Sequence, residues 1–257
     1  FSKSAYLTKL KDFVSDEKAK TIFFNYITER LTGKPLDLVL GYTMFIGKKY
    51  MVSENILLPR PETEILVSEA ISHIRNLNHH HLVILECGFG TGVISCELGK
   101  AFPEVTIHAY DVSRETLSCA QKNANLHRVT NVNWHIDDFL KGGWKTGIPE
   151  EAYVVLISNP PYISTSEIEN LDKIVQKYDP WIALDGGKDG LVFYRYFFKE
   201  ISQYIDSFIC EIGFDQKDRL EELAVKNKVH IGFKKDYQGI DRVALVQRDI
   251  CFRKRNP

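Results

Sequence analysis

From residue 82 onward, short apolar runs alternate with helix-length amphipathic segments, and few folds accommodate that rhythm. Leu82-Val83-Ile84-Leu85 ends at Glu86, Val105 to Tyr110 at Asp111, and Val132 to Ile136 at Asp137-Asp138. Tyr153 to Ile157 ends at Ser158-Asn159-Pro160-Pro161-Tyr162, and Phe208 to Ile212 closes the set. Helical periodicity lies between them: from the glycines after Glu86 to about Ala101, over 114–125, near 167–176, over 190–205 and at about 215–226. Strand–helix alternation predicts an α/β fold, a parallel sheet with helices on both faces. Two last strands, His230–Tyr237 and Arg242–Val246, are joined by Gln238-Gly239-Ile240-Asp241. A link that short makes a hairpin, so the last of the seven strands should run antiparallel.

Ahead of this sheet the pattern differs. Up to about residue 40 the chain reads as helical, with Ile22, Phe23, Tyr26, Ile27 and Leu31 as an apolar stripe closed by Gly33 and Pro35. Such a stripe needs a partner, so a small helical unit packing on itself or on the next part of the chain is expected. Tyr42–Ile46 and Tyr50–Val52 read as a hairpin about a Gly47-Lys48-Lys49 turn. A helix then starts at Pro61, where the missing N–H is harmless and Glu62 and Glu64 suit the positive end of the dipole. Its apolar face is Leu66, Val67, Ala70, Ile71, Ile74 and Leu77. These breaks divide the chain into an N-terminal helical domain (1–40), a linking hairpin (41–58) and a main domain (59–257).

Composition removes several classes of function. No stretch of about 18 apolar residues exists to span a bilayer. With 33 Lys and Arg against 34 Asp and Glu, the net charge of −1 argues against gripping nucleic-acid backbone over the whole surface. The basic tail Arg253-Lys254-Arg255 reads as solvated. The five cysteines are odd in number and never spaced Cys-x-x-Cys, which predicts neither a disulfide scaffold nor a zinc module. The run His79-His80-His81 has no matching cluster nearby and reads as a solvated loop, so no metal site is expected. The start Phe1-Ser2-Lys3-Ser4-Ala5 lacks Met and a signal-peptide core; a trimmed, cytoplasmic protein is expected.

The segment Glu86-Cys87-Gly88-Phe89-Gly90-Thr91-Gly92 follows the first strand and opens a helix. Glycines there allow a tight turn and close approach of a ligand. The dinucleotide fingerprint would need Gly at 93, where this chain has Val93. The Glu-x-Gly-x-Gly-x-Gly form instead resembles the first motif of S-adenosylmethionine-dependent methyltransferases, in which a strand-end carboxylate, here Glu86, can face the ligand's ammonium group. Asp111, about twenty residues on, stands where an acid accepts both hydroxyls of a ribose. Its bland alternative is a helix cap, a job for which Ser113 competes. Asp137 and Asp138 end the third strand, where they could border an adenine ring. Carboxylates at three successive strand ends fall on the carboxyl edge of the sheet, the edge at which open α/β folds bind ligands.

Asn159-Pro160-Pro161-Tyr162 lies on the same edge. Two prolines could simply stop a strand. They also fix φ and hold Asn159 extended. Pro161 has no N–H, so the Pro160 carbonyl is left to face a substrate. A planar NH2 group has two N–H donors; the Asn159 oxygen and the Pro160 carbonyl can each take one, aiming the nitrogen at an electrophilic methyl, while Tyr162 stacks on the flat group. Positioning of this kind needs no strong base. The motif resembles that of methyltransferases acting on exocyclic NH2 of adenine or guanine, or on the glutamine side-chain amide.

Leu58-Pro59-Arg60-Pro61-Glu62-Thr63-Glu64 ahead of the glycine loop, with Asn159-Pro160-Pro161-Tyr162-Ile163 after it, resembles the HemK-type peptide chain release factor glutamine methyltransferases. The likeness continues through Gly41-Tyr42, Phe45-Ile46-Gly47, Asp179-Pro180, Ala183-Leu184, Gly186-Gly187-Lys188-Asp189-Gly190-Leu191, Tyr194-Arg195, Glu211-Ile212-Gly213 and Asp241-Arg242-Val243. It implies a Rossmann-like seven-stranded S-adenosylmethionine-dependent methyltransferase sheet with a small N-terminal helical domain. The implied reaction is N5-methylation of the glutamine in the Gly-Gly-Gln loop of a release factor, leaving S-adenosylhomocysteine. Carried over, Glu86, Gly88, Phe89, Gly90, Thr91, Gly92 and Asp111 would hold the cofactor, Asp137 and Asp138 would border its adenine, and Asn159 would face both cofactor and substrate. Asn159, Pro160, Pro161 and Tyr162 would hold the glutamine amide, with Asn159, Pro160 and Tyr162 carrying catalysis. Arg60 could line the substrate channel. The chain departs from the family in Glu86, usually Asp, and in Phe89, usually Thr, which puts a bulky ring beside the cofactor loop. It also lacks the glycine pair usual before the fifth strand, which should alter a turn and not the reaction. A monomer is the default. The competing readings are the same chemistry on a ribosomal-protein glutamine or a nucleic-acid NH2, and a non-catalytic S-adenosylmethionine-binding module.

Overall fold

The computed structural model describes residues 16–77 and 81–248. The start of the chain, His79, His80, Cys251 and the basic tail lie outside the described residues; His81 is exposed. Helix α1 (Glu17–Leu31) begins where the Asp16 carboxylate accepts the N–H groups of Lys18 and Ala19. The expected apolar stripe lies on it, but none of its residues is buried: Ile22 is 52% and Leu31 83% exposed. Helix α2 (Leu36–Leu40) comes next and buries Leu38 and Val39.

The hairpin corrects the expected turn. Strands β1 (Tyr42–Phe45) and β2 (Lys48–Met51) pair with Phe45 opposite Lys48, so Lys48 and Lys49 belong to the strand and the turn is Ile46-Gly47 alone. Both have positive φ, 48° and 67°, the left-handed pair that matches the twist of a two-residue hairpin. A β-branched residue resists that conformation. Here the Ile46 N–H donates to Glu64 Oε1 at 2.7 Å and the side chain packs on the core. Glu64 lies on α3 (Pro61–Arg75), which starts at Pro61 as the sequence requires and buries Leu66, Val67, Ala70 and Ile74.

The main sheet is built from β3 (Leu82–Cys87), β4 (Ile107–Asp111), β5 (Val132–Ile136), β6 (Tyr153–Ser158), β7 (Ser207–Glu211), β8 (His230–Lys235) and β9 (Asp241–Gln247). Their order is β5-β4-β3-β6-β7-β9-β8, with β9 antiparallel to both neighbours. The antiparallel last strand is as expected; its insertion between β7 and β8 is not visible in local sequence. Period-two alternation divides the core. Ile84, Val155, Ile157, Ile209 and Val243 face α3 and α4 (Val93–Ala101), while Leu85, Val154, Leu156, Phe208 and Ala244 face the opposite layer. That second layer holds α9 (Val192–Tyr196) and α10 (Lys217–Asn227).

Two expected helices are irregular. The one near 167–176 is two short pieces, α6 (Thr165–Ile168) and α7 (Lys173–Tyr178), and a third, α8 (Trp181–Leu184), follows them. The Asp172 carboxylate starts the second by accepting the Ile174 N–H, and Pro180 prevents its continuation into the third. The one over 190–205 widens after α9 into a π-turn, Phe197–Ile201, that buries Phe197, Phe198 and Ile201 together. Helix α5 (Arg114–His127) links β4 to β5.

The chain runs outward from β3 to β4 and β5, then returns to the other side of β3 as β6. The carboxyl ends of β3 and β6 therefore flank the point where strand order reverses, the place where open α/β sheets form a ligand crevice.

Candidate active site

A cavity of about 310 Å3 opens at this reversal point. Gly88, Gly90, Asp111, Asp137, Asp138 and Asn159 line it, together with Phe89, Thr91, Pro160 and Pro161. The loop after β3 is fastened from β4: the N–H groups of Gly88 and Phe89 donate to the Tyr110 carbonyl at 2.8 and 3.2 Å. Asp111 Oδ2 accepts the Gly90 N–H and Oδ1 the Ser113 N–H, both at 2.9 Å. Burial raises the Asp111 pKa while those N–H groups hold it down. Ser113 takes the helix-cap role, its Oγ accepting the Glu115 N–H.

The glycines divide by task. Gly88 has φ 80° and no atom within 4 Å of where a Cβ would stand; Gly90 has only Ile56 Cγ2 at 3.9 Å. Both leave room for a ligand. Gly92 does not line the cavity. A Cβ there would come within 2.9 Å of Ala120 Cβ and of the Trp134 ring, so this glycine lets the loop close against α5 and β5. The Phe89 ring turns inward to an edge contact with Trp134 at 5.0 Å and is 3% exposed. Its bulk is accommodated by the core. Glu86 also stands back from the cavity: it is wholly buried, the Ser95 hydroxyl donates to Oε2, and Oε1 has no partner. Burial pushes its pKa up to about 8.

Asp138 caps the turn after β5 by accepting the Leu140 N–H at 3.0 Å, and Asp137 Oδ1 accepts the Asp138 N–H at 2.8 Å. Asp137 is exposed and Asp138 half-buried.

Asn159 comes directly after β6. Its Nδ2 donates to Thr63 Oγ1 at 3.3 Å, and Thr63 in turn donates to Glu211 Oε2 at 2.7 Å. The Tyr162 hydroxyl donates to Glu211 Oε1 at 3.1 Å. Among the described residues no backbone N–H donates to the Pro160 carbonyl. A second cavity of about 220 Å3 adjoins the first and is lined by Tyr162, Ile163, Leu171 and Val175. Leu57, Arg60, Asn159 and Ala183 belong to both walls. Arg60 is paired there with the buried Asp179 carboxylate.

Behind the Asn-Pro-Pro-Tyr turn, Gln216 Nε2 donates to the carbonyls of Tyr162 and Gly190 at 2.8 and 3.0 Å. A Cβ on Gly190 would fall 2.3 Å from the Tyr162 carbonyl oxygen, so the glycine-rich turn at 186–190 is packed directly on the site's backbone. Spacing alone does not single out Thr63, Glu211 or Gln216. Thr63 and Glu211 fall inside segments that carry the family likeness, which is the one signal that marks them.

Comparison with known proteins bears on the family and the fold. Residues 63–180 match the family model described as "Methyltransferase small domain". A release factor glutamine methyltransferase of Thermodesulfovibrio yellowstonii is 33% identical over 91% of this chain and 84% of its own length. One of Aquifex aeolicus is 34% identical over 88% of this chain and 79% of its own. In structure, the human methyltransferase 10 domain containing protein superposes with a TM-score of 0.52 at 16% identity, covering 91% of this chain and 98% of that one, a likeness of fold.

Proposed function

The chain belongs to the release factor glutamine methyltransferase family, and from that premise we propose that it methylates N5 of the glutamine in the Gly-Gly-Gln loop of a peptide chain release factor. The methyl donor is S-adenosylmethionine, which when bound supplies an electrophilic sulfonium methyl and leaves as S-adenosylhomocysteine. The residues present fit this group. Gly88 and Gly90 leave their Cβ space open at the cavity wall, and Asp111 stands at the strand end beside them. These three, with Thr91 and Asp138, would hold it. Gly92 and Glu86 act from behind, shaping the loop, while Phe89 lines the cavity and turns its ring to Trp134.

The single observation that carries the reading is that Asn159 belongs to the walls of two adjoining cavities, one holding the glycine loop and Asp111, the other holding Tyr162. A side chain at that junction meets both cofactor and acceptor. With Nδ2 committed to Thr63, Asn159 offers Oδ1 as an acceptor, and the Pro160 carbonyl offers a second. Two acceptors suit the two N–H bonds of a primary amide. Held there, the amide nitrogen would be aimed at the sulfonium methyl that S-adenosylmethionine supplies, and the N–H proton given up on transfer would leave to solvent. The residues orient the amide; no strong base is required. Tyr162, tethered through its hydroxyl, presents its ring to the flat amide.

The working division is an N-terminal helical unit, 1–40, a linking hairpin, 41–58, and a catalytic unit, 59–257. One chain supplies every group named, so a monomer acting in the cytoplasm on one release factor is the reading. No described helix is long and apolar enough to cross a membrane. Purified protein with labelled S-adenosylmethionine should label a release factor but not the same factor with its Gly-Gly-Gln glutamine changed to alanine. Equal labelling of DNA or ribosomal RNA would overturn the assignment. Asn159→Ala should abolish turnover while cofactor affinity changes little; a collapse of affinity would make Asn159 a cofactor residue first.

A further inference from the structure

We propose that buried Glu211 is a positioning residue for methyl transfer, acting through Thr63 to fix which end of the Asn159 amide meets the acceptor. The inference rests on the reading that the acceptor is an NH2 group.

Proton counting decides the orientation. An Asn side chain can sit either way round in nearly the same volume, with oxygen and nitrogen exchanged. Only the orientation with oxygen toward the substrate accepts an N–H; the other sets donor against donor. Asn159 has one assigned side-chain partner among the described residues, Thr63 Oγ1, and a hydroxyl by itself does not choose, because it can donate or accept. Thr63 has a single hydroxyl proton, and Glu211 Oε2 takes it at 2.7 Å. An ionised carboxylate only accepts. Thr63 is left with lone pairs toward Asn159, so the amide must present Nδ2 to it, and Oδ1 is the end left for the acceptor.

Glu211 does the same on its other side. Oε1 receives the Tyr162 hydroxyl proton, so one carboxylate at the end of β7 orders both side chains that bracket the substrate cavity. The placement is well enclosed: Glu211 is 1% and Thr63 3% exposed, so water does not compete for these bonds. Burial pushes the Glu211 pKa up, while two O–H donors, one on each oxygen, favour the ionised form that accepts both protons.

The test is a comparison of E211Q, T63V and T63S with the wild type. Glutamine has the shape of glutamate but brings a donor. Its NH2 can donate to Thr63, which frees the Thr63 proton for Asn159 and lets the amide turn round. T63V keeps the volume and removes the hydroxyl; T63S keeps the hydroxyl. Turnover is measured with labelled S-adenosylmethionine on the substrate the wild type methylates, S-adenosylhomocysteine affinity by calorimetry, and folding by thermal melting. E211Q and T63V should lose about a hundredfold in kcat, the scale of a misaligned reactant, with acceptor KM raised and S-adenosylhomocysteine affinity little changed. T63S should recover most of the loss. Wild-type kcat in E211Q, or T63S as impaired as T63V, overturns the relay, as does a fall in kcat matched by an equal fall in cofactor affinity. If E211Q melts below the assay temperature, the T63V and T63S pair decides alone. Because activity is read on whichever amide or amine the wild type accepts, failure of the release-factor assignment shows in the wild type and failure of the relay only in the variants.

Discussion

Glycines 88 and 92 have nearly the same φ, 80° and 79°, yet their surroundings assign them different work. Gly92→Ala would drive a methyl group to 2.9 Å from Ala120 and Trp134 on top of the backbone strain. It should destabilise the fold by about 3 kcal/mol or more, from overpacking added to a left-handed non-glycine residue. Gly88→Ala meets open space and should cost about 1–2 kcal/mol from strain alone, while reducing cofactor affinity. Denaturant melts with a cofactor titration separate the two; equal destabilisation would refute the division of roles. Asp111→Ala should weaken cofactor binding by about tenfold or more, the scale of a lost hydrogen bond to a charged group, in an S-adenosylhomocysteine titration. Unchanged affinity would remove the ribose role. The sequence marks all three positions correctly as members of one loop and strand end. It does not separate Gly92 from Gly88, since what separates them is an alanine on α5 and a tryptophan on β5, both distant in the chain.

At the scale of elements, the linking hairpin and the glycine loop are joined through one side chain. Asn123 on α5 is fully buried. Its Oδ1 accepts the Met51 N–H at 2.7 Å, and Nδ2 donates to the carbonyls of Met51 and Thr91, each at 2.9 Å. Nearby, Lys48 and Tyr50 both bond Glu97 of α4, so β2 is clamped against the first helices of the main unit. Asn123→Ala removes three hydrogen bonds and leaves the half-buried Met51 N–H and the buried Thr91 carbonyl unpaired, while the Met51 carbonyl keeps the Cys119 thiol; it should destabilise the protein by about 2 kcal/mol or more. Hydrogen exchange should quicken in both β2 and the 88–92 loop; quickening in only one would show that the two are not coupled. Strands and the Pro61 helix are legible in the sequence because apolar period and proline chemistry are local. The turn at Ile46-Gly47 is not, because its left-handed isoleucine is held by Glu64, eighteen residues away. The break of the 167–176 helix is written in Asp172 and Pro180; the π-turn after α9 reflects how three large side chains reach the sheet together, which no local pattern states.

For the whole molecule, Glu86 at the centre of the sheet couples stability to pH. It is wholly buried, one oxygen takes the Ser95 hydroxyl proton, and the other has no partner. Burial holds its pKa at about 8 in the folded chain, against 4.5 for an ordinary glutamate. Between those values the folded state binds a proton that the unfolded state has released. Glu86 therefore supports the fold fully below about pH 4.5, and that support is lost as pH rises toward about 8, beyond which the slope is flat. A neutral amide of the same shape lacks this dependence. In thermal melts at matched ionic strength, the Tm of Glu86→Gln relative to the wild type should rise steadily from pH 5 to above pH 8. A constant difference would mean that Glu86 is already ionised in the fold at pH 5. The sequence places an acid at this strand end by its position after an apolar run, and in doing so suggests a ligand contact. The side chain is enclosed beneath the loop, where the α4 helix supplies Ser95 nine residues further on.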